Sequence, residues 1–280
     1  MLIIEVINNA FPALQNVMNL NEKSLKQALS GKYFGHKLYY FTETGSTNDD
    51  AFSSGNEGAP EGTIVIADRQ NQGKGRMQRL WHSPSGSNIY TSIILRPQIQ
   101  LSKSSQIPIL AGVAVAETLN SYCPDKVWLK WPNDVLIDGK KVCGILAQMK
   151  ISTDEIDFIV MGIGINVNLN HEQFPQDIRD IATSLSIETG REVSRLELII
   201  SLYENLEKWY KHLLQNGFGP IREKWLKMTP MIGQTVQVIF KDEKIAGKAT
   251  GLDEDGSLIL LTTENKEIKV SAGDATILKR

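Results

Sequence analysis

The sequence predicts an α/β (α+β) body followed by a small β-barrel. Apolar β-type runs at 63–67, 87–95, 127–137 and 158–165 alternate with helical stretches at 107–119 and 194–214. From Ile232 the pattern changes to short β-prone segments separated by turn residues. The length of 280 residues suits one large and one small unit.

The elements follow in order. Residues 1–20 are mildly apolar and carry no clear pattern. Asn21 can cap a helix over 22–30, with Gly31 past its end. Residues 38–41 read as a strand. Ser46 or Thr47 can cap the next helix, whose first turn holds Asp49 and Asp50; three short polar side chains after a strand can equally meet a small polar ligand. The helix over 107–119 is apolar enough to be a core helix, with Pro108 tolerated in its first turn. Pro132 cannot donate to a ladder, so the strand over 127–137 should break there and expose Asn133 and Asp134. Asp138-Gly139 is a two-residue hairpin turn that returns the chain through 140–147. Residues 169–193 form a long polar connection. Ser194-Arg195-Leu196-Glu197 is a capping box that opens a long amphipathic helix, and a short helix follows at 221–228. The last ~49 residues hold four or five strands, enough for a small barrel.

Composition excludes several classes. Net charge is −2, so nothing global points to nucleic acid or an anionic membrane. No window has the length and apolarity of a membrane span, and the N-terminus does not read as a signal peptide. Cys123 and Cys143 lack metal or redox spacing and fit a reducing, cytoplasmic compartment.

The chemistry gathers in the loop from Gln70 to Trp81, Gln-Asn-Gln-Gly-Lys-Gly-Arg-Met-Gln-Arg-Leu-Trp. Gly73 and Gly75 alternate with Lys74 and Arg76, and Arg79 follows, so three cations sit on a backbone able to approach a phosphate or carboxylate. It is neither a Walker A motif nor a dinucleotide fingerprint; nor is Gly162-Ile163-Gly164, which no helix follows. With little to bury and like charges in mutual repulsion, the loop is expected to be mobile until an anion arrives.

Four elements, Ser46-Thr47-Asn48, the basic loop, Lys130-Trp131-Pro132-Asn133-Asp134 with Lys141, and residues 162–168 (Gly-Ile-Gly-Ile-Asn-Val-Asn), together resemble the biotin protein ligases over about residues 35–280. The resemblance implies a mixed sheet with flanking helices like that of class II aminoacyl-tRNA synthetases, over residues 31–230. An SH3-like barrel follows over 231–280, and a segment of unclear role, 1–30, precedes. It implies ATP-dependent activation of biotin as biotinyl-5′-AMP, then transfer to a lysine of a biotin carboxyl carrier protein, with Mg²⁺ on the triphosphate. Ser46, Thr47, Asn48 and Gln70 match positions at the biotin rings. Gly73, Lys74, Gly75 and Arg76 match the closing loop. Lys141, with Gly144 beside it, matches the lysine at the biotin carboxylate. Trp81 matches an aromatic by the adenine, and Arg79, Asn133, Asp134 and Asn166 fall in the nucleotide site. Lys141, Arg76 and Asp134 are the catalytic candidates; Asp134 can contact Mg²⁺ or orient Arg76 by a salt bridge, and both readings stand.

Two departures from the family pattern matter. Lys74 replaces an arginine and loses its planar fork, and Met77 and Gln78 replace an arginine and a glycine. Only about 35 residues precede the region of resemblance, so the winged helix-turn-helix of the repressor members, and with it DNA binding, is not expected. A homodimer is left open. A lipoate ligase on a similar fold is the nearest competitor, but a thin linear acid needs no polar groups placed for a ureido ring. A biotin-responsive DNA-binding regulator and an inactive interaction protein complete the field.

Overall fold

A computed structural model of the chain describes residues 20–240 and 243–278; the N-terminal stretch 1–19 lies outside the described residues. The elements run α1 (Glu22–Ala28), β1 (Leu38–Phe41), α2 (Thr47–Asn56), β2 (Ile64–Ala67), β3 (Ile89–Leu95), α3 (Gln106–Asn120), β4 (Val127–Lys130), β5 (Asp134–Ile137), β6 (Lys140–Ser152), β7 (Glu155–Ile165), α4 (Leu185–Thr189), α5 (Arg195–Asn216), α6 (Gly219–Lys227), β8 (Thr235–Phe240), β9 (Glu243–Leu252), β10 (Leu258–Leu261), β11 (Glu267–Val270) and β12 (Asp274–Ile277).

The first seven strands form one sheet in the order β1-β2-β3-β7-β6-β5-β4, parallel only between β1 and β2. α3 is buried almost throughout, as its apolar sequence predicts, and lies on one face of the sheet with α5 and α6 packed over it. α2 covers the other face through Ala51 against Phe158, Val65 and Val160. Pro132 breaks the edge as expected, separating β4 from β5, and Asp138 and Gly139, both at positive φ, turn β5 into β6. Ser194 accepts from the backbone N–H of Glu197, half of the expected capping box.

The last five strands form an antiparallel sheet in the order β11-β10-β9-β8-β12. Its inner residues Val236, Val238, Leu258 and Leu260 belong to the same apolar cluster as α3 and α5. Trp131, 1% exposed, donates its indole N–H to Gly256 O (3.2 Å), and Gln106 Nε2 donates to Glu254 O (2.7 Å). The small sheet is therefore fixed to the body by core and by polar anchors, beside the sheet edge that holds Asn133 and Asp134.

Candidate functional site

A cleft of about 730 Å³ opens over β6 and β7, walled by the start of α2, the basic loop, the 174–182 connection and β12 of the small sheet. Glycines make its floor. Gly144 pairs with Gly164 across β6 and β7, and Gly162 lies two residues along. A Cβ on Gly162 would sit 1.9 Å from Asn48 Oδ1; one on Gly164 would sit 2.5 Å from Trp81 Nε1. Only bare backbone lets Asn48 and Trp81 lie this close to the sheet. That is the purpose of the Gly-x-Gly at 162–164.

One end of the cleft is a buried polar network. The backbone N–H and hydroxyl of Thr47 both donate to Gln70 Oε1 (2.9 and 3.1 Å). Gln70 Nε2 donates to Ser83 Oγ (3.0 Å), whose hydroxyl donates to Trp81 O (2.9 Å). Ser92 Oγ lies 2.8 Å from Thr47 Oγ1 and 2.7 Å from Asn48 Oδ1, and Asn48 Nδ2 donates to Gln148 Oε1 (2.9 Å). Asn48 is 4% exposed and Ser92 fully buried. Ser46 occupies the helix N-cap position but makes no side-chain capping bond. Thr47, Asn48 and Gln70 were legible in the sequence; Ser83, Ser92 and Gln148 were not, because nothing local sets them apart from other strand and loop polar residues.

The other end is cationic. Lys141 reaches the cleft through a local irregularity. The β5–β6 register shifts between Val135 and Leu136, so Val142 is an extra residue on β6. A bulge of this kind re-aims the side chains beyond it. Lys141 thereby joins Gly144 on the cleft face, its Cε 3.3 Å from where a Gly144 Cβ would stand. Its backbone is held from the side by Ile181 O and Thr183 N–H (2.8 and 2.9 Å). Lys141 Nζ sits 2.7 Å from Asp134 Oδ1 and 5.5 Å from the centre of the Trp81 ring. Trp81 thus lies mid-cleft beside the lysine, its indole N–H buried and without a partner among the described residues.

The basic loop is folded back on itself. Gly75 N–H donates to Arg79 O (2.7 Å) and Trp81 N–H to Gly73 O (2.8 Å), while Met77 and Gln78 take positive φ. Carboxylates offset the repulsion expected among its cations, although Arg79 still works against the charge of Arg76. Lys74 pairs with Asp49 (2.6 Å), and Arg76 and Arg79 both pair with Asp274 (3.1 and 2.7 Å). Arg76 Nη1 also donates to Asn133 Oδ1 (3.1 Å) and Gly273 O (3.2 Å). Burial pulls the Arg76 guanidinium below its usual range, against Asp274 and Asp134, which strengthen its hold on the proton.

Two sequence readings are corrected. Asp134 does not orient Arg76 by a salt bridge; it pairs with Lys141, and Asp274 takes Arg76. Gly73 does not line the cleft; a Cβ there would meet Trp81 O at 2.5 Å and Ser83 Oγ at 2.6 Å, so it serves the loop's own closure. The Asn166 side chain is engaged with Thr183 O (3.1 Å), so it anchors the 181–184 segment while lining the wall. The remaining residues singled out, Ser46, Lys74, Gly75, Arg79, Trp81, Asn133, Asp134, Lys141 and Gly144, all line the cleft. The 169–193 connection carries Phe174, Ile178, Ile181 and Ala182 into its wall.

Comparison with known proteins agrees with this layout. A model of the biotin/lipoate A/B protein ligase family matches residues 40–166, and one of the biotin protein ligase C-terminal domain matches residues 231–277. The chain is 40% identical over 245 residues to the bifunctional ligase/repressor BirA of Bacillus spizizenii, covering 88% of this chain and 75% of that protein. It is 31% identical over 230 residues to the biotin–[acetyl-CoA-carboxylase] ligase of Paracoccus denitrificans, covering 80% of this chain and 94% of that one. The solved biotin protein ligase of Aquifex aeolicus in complex with biotin and ATP superposes with a TM-score of 0.74 at 31% identity, over 88% of this chain and 100% of that one.

Proposed function

The chain belongs to the biotin protein ligase family, and we infer from its cleft that it joins biotin to a lysine of a biotin carboxyl carrier domain at the expense of ATP. The first step makes biotinyl-5′-AMP: a biotin carboxylate oxygen attacks the α-phosphate of ATP and pyrophosphate leaves. In the second, the neutral ε-amine of the carrier lysine attacks the acyl carbon, AMP leaves and an amide remains.

The observation that carries the reading is a cleft with a buried, hydrogen-bonded neutral polar end and a cationic end joined over glycine backbone. We assign Thr47, Asn48 and Gln70, with Ser92 behind them, to the polar ring of biotin. Lys141 then meets the carboxylate where it approaches the α-phosphate; two anions brought together need a cation at the junction. Arg76 and Arg79 turn the guanidinium nitrogens that Asp274 does not hold toward phosphate oxygens, which their planar forks suit. Asn133 keeps Arg76 at the junction, and Trp81 separates the bound adenylate from bulk water. We assign residues 31–230 to the catalytic body and 231–280 to a C-terminal unit that closes its side.

Magnesium completes the charge balance in this reading. Among the described residues no three His, Cys, Asp or Glu side chains converge, so a protein cage for the ion is absent there. One carboxylate is what an ion held chiefly by phosphates and water requires. Asp134 fits: its Oδ1 is buried and makes no aligned hydrogen bond, although Lys141 Nζ lies 2.7 Å away. When bound, the ion neutralises triphosphate charge. We assign no nucleic-acid partner, since net charge is −2, and place the enzyme in the cytoplasm. No helix among the described residues is long and apolar enough to cross a membrane.

The test is direct. Pyrophosphate release from ATP should require biotin, and labelled biotin should then pass to an apo carrier domain. Equal release with lipoate would make this a lipoate ligase; release with neither acid would end the reading.

A further inference from the structure

The small C-terminal sheet reaches the cationic end of the cleft through one side chain. Asp274, the first residue of β12, bridges two arginines: Oδ1 accepts from Arg76 Nη1 (3.1 Å), and the buried Oδ2 is ion-paired with Arg79 Nη1 at 2.7 Å without an aligned hydrogen bond. The preceding residue shapes the contact. Gly273 takes φ +127°, which an L side chain rarely adopts, and a Cβ there would meet Val238 Cγ1 at 2.6 Å. That turn presents the Gly273 carbonyl to Arg76 (3.2 Å) in line with the Asp274 carboxylate. Arg76 Nη1 thus has three acceptors, two of them from the small sheet, while its Nε and Nη2 have no partner among the described residues.

We propose that Asp274 is a positioning residue for adenylate formation and retention: it grips one nitrogen of Arg76 and the head of Arg79, so that the loop is already over the cleft and the free face of the Arg76 fork is left for a phosphate. The inference rests on the ligase reading for its chemistry. Three features distinguish it from a generic surface ion pair. Asp274 is only 26% exposed at its side chain and Arg76 22%. One carboxylate screens two like charges that would otherwise repel each other. Arg76 also bonds Asn133, which continues into the Asp134–Lys141 pair, so the grip extends to the reacting junction. Asp274 touches neither substrate atom in this scheme; it acts through the arginines.

Asp274→Asn keeps shape and removes the charge. In this variant the KM for ATP in biotin-dependent pyrophosphate release should rise about tenfold or more, the loss expected when a charge-assisted grip on a phosphate-binding arginine is removed. Escape of biotinyl-adenylate, read as biotinylation of a bystander protein, should rise with it. Biotin affinity without ATP and the thermal midpoint should stay at wild-type values. Asp274→Glu should recover most of the loss. Wild-type KM and escape in Asp274→Asn would overturn the proposal, as would an equal loss of ATP-free biotin affinity, which marks a merely structural role. A second arm needs no activity: tryptic cleavage after Arg76 and Arg79 in the ligand-free protein should speed up in Asp274→Asn. Unchanged cleavage overturns the grip, whereas faster cleavage in a protein whose wild type releases no pyrophosphate sustains the grip and rejects the ligase reading.

Discussion

At one end of the cleft, Thr47, Asn48, Gln70, Ser83, Ser92 and Gln148 hold one another by neutral hydrogen bonds; at the other, Lys74, Arg76, Arg79 and Lys141 are each held by a carboxylate. The first set is largely buried, with partners that are themselves satisfied. Low local dielectric makes such a network stiff and any orphaned member costly. The second set is nearer solvent, Arg79 being 70% exposed at its side chain. The more exposed pairs, such as Lys74–Asp49, are worth ~0–1 kcal/mol and can be exchanged for a better anion. A fixed ring meets a fixed network, and a charged, departing group meets contacts that can be traded.

If this division holds, substitutions at the two ends should fail differently. The largest effect belongs to the junction. Lys141→Ala removes the cation beside Asp134 and should slow single-turnover pyrophosphate release ten- to a hundredfold, for a charged hydrogen bond worth ~1.5–3 kcal/mol. Unchanged release would take Lys141 out of the mechanism. Next is the floor. Gly162→Ala places a methyl 1.9 Å from Asn48 Oδ1. Overpacking of that kind costs ~1–3 kcal/mol, and it should appear in calorimetry as weakened biotin binding. Normal biotin affinity in Gly162→Ala would mean that Asn48 can move aside and that the polar end is not rigid.

Asn48→Ala sharpens the contrast further. It removes the partner of Gln148 and one of the two partners of Ser92, at ~1–3 kcal/mol for a buried group left unsatisfied. Biotin affinity should fall while the KM for ATP at saturating biotin changes little; equal changes in both would erase the distinction between the ends. The smallest effect is at the rim. Arg79→Gln breaks an exposed pair and should leave the thermal midpoint within about a degree or two, since ~0–1 kcal/mol is at stake. A large loss of stability would show that the loop end is structural.

How much of this was readable from the sequence depends on the range of the contact. α3, the Pro132 break and the Asp138-Gly139 turn were legible because periodicity and turn chemistry are local signals. Thr47, Asn48, Gln70, Arg76 and Lys141 stood out because each falls in or beside a short motif that is recognisable by itself. Asp274 could not be found that way: it lies 198 residues from Arg76, on a strand whose composition is ordinary. Gln148 is 100 residues from Asn48. The bulge that turns Lys141 onto the cleft face follows from the β5–β6 register, which no single-residue propensity records. Asp49 and Asp274 could not be read as partners of the loop's cations for a similar reason, since neither adjoins the loop in the chain.

Amide hydrogen exchange tests the two-ended cleft most directly, because it reads both ends in one sample. In the ligand-free protein, the amides at 47–48 and 91–92 should exchange slowly and those at 74–80 fast. With biotin and ATP, protection should grow at 74–80 and change little at 47–48 and 91–92. Equal protection of both segments before ligand, or a gain at 47–48 and 91–92 as large as that in the loop, would contradict a rigid end paired with an exchangeable one.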